Sequence, residues 1–203
     1  MQKESKLILL VAIFVTSILV ANTMASKLFV FGAGYVMTAG ILAFPITFLI
    51  TDIINEVWGK KTAQAVVTAG LFANILMVGF YQLGILLPAA SFWPNQEAYA
   101  TILGAVPRIV IASMIAYLIS QSYDVWMFNY IKQVLPFGLW ARNNVSTITA
   151  QVIDSAIFLV IAFWGVMPLE KLFSMFILYI VVKALIALMD TPFAYLGAWW
   201  ARR

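Results

Sequence analysis

Neither cysteine nor histidine occurs anywhere in the 203 residues. Their absence excludes thiol nucleophiles, disulfides and zinc sites, and removes the commonest general base. Charge is scarce as well: twelve Lys and Arg and eight Asp and Glu make up only 10% of the chain. The cations are spread over segments between apolar runs, which excludes a basic nucleic-acid surface. No G-x-x-x-x-G-K-[ST] loop is present, so the chain has no phosphate cradle of that kind for using ATP.

What fills the chain instead is apolar. With 64% hydrophobic residues and a mean hydropathy of +1.00, there is too little polar surface to cover a soluble globule. The sequence therefore predicts an all-α membrane protein: one compact bundle of six transmembrane helices forming a single domain over residues 1–203. The spans are read at Leu7 to Met24, Thr38 to Trp58, Ala63 to Leu87, Ile102 to Gln121, Val145 to Val166 and Leu172 to Trp200. A Gly-rich turn, FVFGAGY, follows the first span, and AASFWPNQEAYA forms an aromatic-bearing loop after the third. Helix is expected to continue beyond the fourth span to about Lys132, and Pro192 to kink or break the sixth. MQKESK runs into the first span without an A-x-A-like site, so that span is expected to be retained. Placing both termini in the cytoplasm puts Lys3, Lys6, Lys60, Lys61, Lys132, Arg142, Arg202 and Arg203 inside, against Lys27 and Lys171 outside. That is the asymmetry of a multi-pass protein of the cell's inner membrane.

Polar residues within the spans fall into stripes. In FPITFLITDIINEVWGKK, Asp52 and Glu56 share one helix face, beside a second stripe of Thr47, Thr51 and Asn55. The fifth span carries Asn144, Thr147, Gln151, Asp154 and Phe158 on one face, and the fourth carries Ser113, Tyr117, Gln121 and Asp124. Arg108 lies nearer the other end of the fourth span. The sixth span carries Lys183 and Asp190 two turns apart, and the first carries Asn22. Ionisable groups at bilayer depth are costly and mark pathways or sites. A lone Ser, Thr, Asn or Gln more often bonds between helices, and the carboxylates could also neutralise Arg108 and Lys183. Carboxylates, amides and hydroxyls converging on one cavity would suit a planar polar solute. A guanine-like edge, for example, offers adjacent N–H donors that a carboxylate accepts, and aromatic rings could stack on its faces.

Three of these segments carry a resemblance. FPITFLITDIINEVWGKK, RIVIASMIAYLISQSYDVWMFNYIK (Arg108 to Lys132) and WARNNVSTITAQVIDSAIF (Trp140 to Phe158) resemble the queuosine precursor transporter family, part of the wider vitamin-uptake group. ANTMASKLF (Ala21 to Phe29) and Lys183 extend the likeness over nearly the whole chain. It implies import of 7-cyano-7-deazaguanine and 7-aminomethyl-7-deazaguanine, and a six-helix fold similar to the substrate-binding component of energy-coupling-factor transporters. Asn22, Thr51, Asp52, Arg108, Gln121, Asp124, Ser146, Gln151, Asp154 and Lys183 match family motif positions. Among them Asn22, Thr51, Asp52, Gln121, Gln151, Asp154 and Lys183 are the candidates for substrate binding, with Asp52 and Asp154 leading. Glu56, Arg108, Asp124 and Asp190 are assigned to structure or gating.

The expected partners are a small deazaguanine substrate and the lipid bilayer. A second copy of the chain and a coupling module are also compatible with its size and its small-residue patch, Ala63 to Ala73. No cofactor, metal or nucleic acid is expected. One alternative is the binding subunit of an energy-coupling-factor vitamin transporter. A second is a membrane enzyme pairing Asp52 with Asp154, disfavoured because neither His nor Cys accompanies them. A third is a purely structural bundle.

Overall fold

A computed structural model describes residues 2–32, 34–134 and 139–202, with side chains described except at 125, 128, 132, 134, 139–144, 147, 187, 188, 190 and 191. The first apolar run forms α1, Lys3–Met24. Its last turn is closed by side chains, the Thr23 hydroxyl donating to the Leu19 carbonyl and Ser26 to that of Thr23. The expected Gly-rich turn is then an antiparallel hairpin, β1 (Leu28–Phe31) and β2 (Tyr35–Thr38). Leu28 pairs with Thr38 and Phe31 with Tyr35. Two short runs of aromatic and β-branched residues flank glycines, and Gly32 and Gly34 have φ of 56° and 97°. Such positive values favour glycine and let the chain reverse.

A 3-10 turn, Ala39–Leu42, leads into α2, Phe44–Trp58, whose first turn accommodates Pro45. One residue, Gly59, separates α2 from α3, Lys60–Leu86. Its φ of 87° and ψ of 166° again suit glycine. After a loop come α4, Gln96–Gly104, and α5, Val106–Val134, so the fourth expected span begins with a separate short helix. α6 covers Leu139–Phe163 and α7 covers Leu169–Arg202. α7 continues through Pro192 rather than breaking there. A proline removes one backbone donor, and helices at membrane depth tolerate it where neighbouring groups satisfy the freed carbonyl.

Among the described residues four stretches are long and apolar enough to cross a membrane: Lys3–Met24, Ala39–Trp58, Lys60–Leu86 and Gln96–Ile131. Ile148–Phe163 is apolar but shorter. The chain is an all-α membrane protein, with the small hairpin as its departure from helix.

The chain divides into two compact units, Met1–Val110 with Val182–Arg203, and Ile111–Val181. In the first, Leu10 and Phe14 of α1 pack with Ile50, Ile53 and Ile54 of α2, Val66 of α3 and Ala201 of α7. Two glycines permit close approach. A Cβ at Gly40 would lie 2.5 Å from the Ala21 carbonyl oxygen, and one at Gly70 would lie 2.7 Å from the Phe14 ring. In the second unit, Ala112, Ala116 and Ser120 make a small buried stripe along α5. Phe158 of α6 stacks on Tyr179 of α7 at 6.5 Å, over buried Met175 and Leu159.

The ends of the first unit meet. Lys6 is only 6% exposed. Its ammonium donates to the Trp200 carbonyl at 2.9 Å and lies 5.1 Å from that residue's ring centre. The carbonyl belongs to the last turn of α7, where helix oxygens lack partners of their own. A cation there also complements the helix dipole. Alongside, Arg202 pairs with Glu56 at the end of α2, and Lys3 sits 5.8 Å from the Trp58 ring centre.

Candidate functional site

The expected site residues fall in both units. Asn22, Thr51, Asp52, Glu56, Arg108 and Lys183 belong to the first, and Gln121, Asp124, Gln151 and Asp154 to the second. The side chain of Asp190 lies outside the described residues, as do those of Asn144 and Thr147.

In the first unit the buried polar centre is an amide pair. Asn22 and Asn74 are each 2% exposed, one on α1 and the other on α3. Asn22 Nδ2 donates to Asn74 Oδ1 at 2.7 Å, and Asn74 Nδ2 donates to the Gly70 carbonyl at 2.8 Å. Asn22 Oδ1 is buried and accepts no hydrogen bond among the described residues. One residue along, the Thr23 hydroxyl meets Tyr81 Oη at 3.1 Å. Thr38 is buried as well.

On α2 the burial pattern separates roles. Ile50, Ile53 and Ile54 enter the core, while Asp52 and Glu56 are exposed on another face. Thr47 is buried and Thr51 half-buried, and both hydroxyls donate back to their own helix, to the carbonyls of Phe44 and of Thr47 and Phe48. Their donors are therefore occupied, which leaves oxygen lone pairs for any further contact. Glu56 pairs with Arg202, both side chains being exposed. Asp52, Arg108 and Lys183 each take part in a further polar, charged or ring interaction, so none is a bare charge.

In the second unit α5 and α6 meet through Ser120, whose hydroxyl lies 3.4 Å from Asp154 Oδ1 and 3.2 Å from the Tyr117 carbonyl. Gln151 and Asp154 are half-buried on one face of α6. Gln121 is exposed, so the residue α5 turns inward at this level is its neighbour Ser120. Asp124 is half-buried, and its Oδ1 is enclosed without a hydrogen bond among the described residues. A cavity of about 240 Å3 lies elsewhere, between Gly84 and Leu87 at the end of α3 and Phe92, Trp93 and Tyr99. None of the expected site residues lines it. Among the described residues no cluster of three or more acids could hold a metal ion.

Residues 38–197, which hold the α2 stripe, Asp154 and Lys183, match the family described as "Putative vitamin uptake transporter". The chain belongs to the vitamin uptake transporter family. A Bacillus subtilis relative, "Probable queuosine precursor transporter", is 34% identical over 166 residues, 80% of this chain and 72% of that protein. The Escherichia coli "Queuosine precursor transporter" is 32% identical over 64% of this chain and 57% of its own length. A Haemophilus influenzae relative, also named "Probable queuosine precursor transporter", is 29% identical over 63% of this chain and 52% of its own. No solved structure matches, so the likeness to an energy-coupling-factor component rests on sequence resemblance. Membership of a transporter family bears against the membrane-enzyme alternative, and it fits apolar helices that carry few charges.

Asn74 and Ser120 are two buried polar residues that the stripes in the sequence do not include. Asn74 stands alone in the apolar run from Ala69 to Phe80, and that isolation is its signal. Ser120 lies one residue off the expected stripe, but four and eight residues after the buried Ala116 and Ala112.

Proposed function

We propose that this member of the vitamin uptake transporters imports queuosine precursors, 7-cyano-7-deazaguanine or 7-aminomethyl-7-deazaguanine, across the cell's inner membrane. The observation that carries this reading is the 34% identity to a relative named as a queuosine precursor transporter, over most of both chains. The chemistry of the polar residues supports it. Asp52, Asp154, Gln151, the threonines and the buried Asn22 oxygen all carry acceptor lone pairs. A guanine edge supplies adjacent N–H groups that pair with such acceptors. In this proposal Asp52 and Asp154 accept from the edge. Asn22, Thr51, Gln121 and Gln151 complete the pairing, and Lys183 balances a carboxylate. Glu56, Arg108, Asp124 and Asp190 serve structure or gating.

We further infer six spans with both termini cytoplasmic. The meeting of Lys6, Trp200, Arg202 and Glu56 at one end of the first unit supports placing the two termini on the same side. Energy comes from outside the chain: a gradient, an ATPase module or downstream trapping.

The test is direct binding of both deazaguanines and of guanine to the purified chain, with uptake into liposomes. Binding of either deazaguanine, and uptake by the chain alone, is expected. Tight guanine binding without deazaguanine binding would overturn the substrate assignment. Binding with no uptake until a coupling protein is added would identify it as a subunit of a larger transporter.

A further inference from the structure

We propose that Asn74 is a positioning residue, which orients the Asn22 carboxamide so that its oxygen is reserved for an N–H group of the transported base. The inference rests on the deazaguanine reading above and adds to it a residue and a direction of hydrogen bonding.

The direction is set from the backbone outward. The Gly70 carbonyl can only accept, so the Asn74 group 2.8 Å from it must be the amide nitrogen. That turns Asn74 Oδ1 towards Asn22 at 2.7 Å, and an oxygen there requires the Asn22 nitrogen in turn. Reversing Asn22 alone would set two carbonyl oxygens against each other. Reversing both would keep a bond between the amides but set the Asn74 oxygen against the Gly70 carbonyl oxygen, at the cost of the bond there. One backbone carbonyl therefore fixes both amides and leaves Asn22 Oδ1 as an acceptor, buried and without a partner among the described residues. A buried acceptor left unpaired is costly, and only a donor relieves it. Carbonyl or nitrile groups of a ligand cannot do so, whereas its N–H groups can. The pair thus selects for a donor-bearing edge.

Four versions of the full-length purified chain test this: wild type, Asn74→Leu, Asn74→Asp and Asn22→Ser. Each is titrated with 7-cyano-7-deazaguanine and with three analogues, each lacking one donor group: 1-methyl, 2-desamino and N9-methyl. For the analogue that lacks the N–H facing Asn22, wild type is expected to lose about tenfold in affinity, the worth of one buried hydrogen bond. In Asn74→Leu and Asn22→Ser that penalty should vanish. In Asn74→Asp it should persist, because a buried carboxyl is held protonated and can donate to Gly70 while accepting from Asn22. Asn22→Ser withdraws the carbonyl oxygen from its place and keeps a small polar side chain, so the test survives if Asn74→Leu fails to fold. If affinities for all four ligands fall in parallel, or the penalty is the same in every variant, Asn74 has no positioning role and the deazaguanine reading stands. If wild type binds none of the ligands, both fail.

Discussion

At the residue scale, atoms that look alike in the sequence differ by what surrounds them. Asp52 is exposed on a helix whose isoleucines form the core, so its carboxylate carries no packing, and in the proposed reading it serves recognition. Asp52→Asn is expected to weaken deazaguanine binding by about tenfold or more, the loss of one charge-assisted hydrogen bond. Thermal unfolding in detergent should stay within a few degrees, and titration calorimetry beside a melting curve checks both. Unchanged affinity in a folded variant would remove Asp52 from the site. Gly40 behaves in the opposite way. Its missing Cβ would stand 2.5 Å from a backbone oxygen and 3.1 Å from the Ala25 Cβ, and the backbone cannot turn aside as a flexible side chain can. Gly40→Ala should cost about 1–3 kcal/mol of stability, seen as a lowered melting temperature, without a selective change among ligands.

At the scale of elements, the termini of α1, α2 and α7 are joined by two contacts of unequal worth. Lys6 is buried and satisfies a carbonyl of the last α7 turn, so Lys6→Met should destabilise by about 1–3 kcal/mol. The Glu56–Arg202 pair is open, with side chains 63% and 58% exposed. Glu56→Gln should therefore cost under about 1 kcal/mol, and less still at high salt. Melting curves of both variants at two salt concentrations check the contrast. The long helices were legible because uninterrupted apolar runs admit little else, and their ends fell near the expected prolines and glycines. The hairpin was not, because FVFGAGY reads as a turn when its glycines are weighed above four-residue strands on either side. Among the candidate residues, stripes of like spacing marked the polar faces of α2 and of α6, each in its own unit. A residue with no periodic companion, such as Asn74, shows its partner only when the facing helix supplies Asn22. Ser120 was obscured because its stripe is completed by alanines, which carry no chemical signal of their own.

For the molecule as a whole, the absence of cysteine turns into a tool. Ser5→Cys, Lys61→Cys and Ala90→Cys each introduce a lone thiol at an exposed position. In intact cells a membrane-impermeant maleimide should label only Ala90→Cys, and permeabilisation should expose the other two. Labelling of Ser5→Cys in intact cells would reverse the proposed orientation. Mechanically, the single-residue connection at Gly59 has a reach beyond packing. α2, with Thr51 and Asp52, and α3, with Asn74, are joined through a single pair of backbone torsions, so the angle between these two helices is set at one residue, next to Lys60 and Lys61.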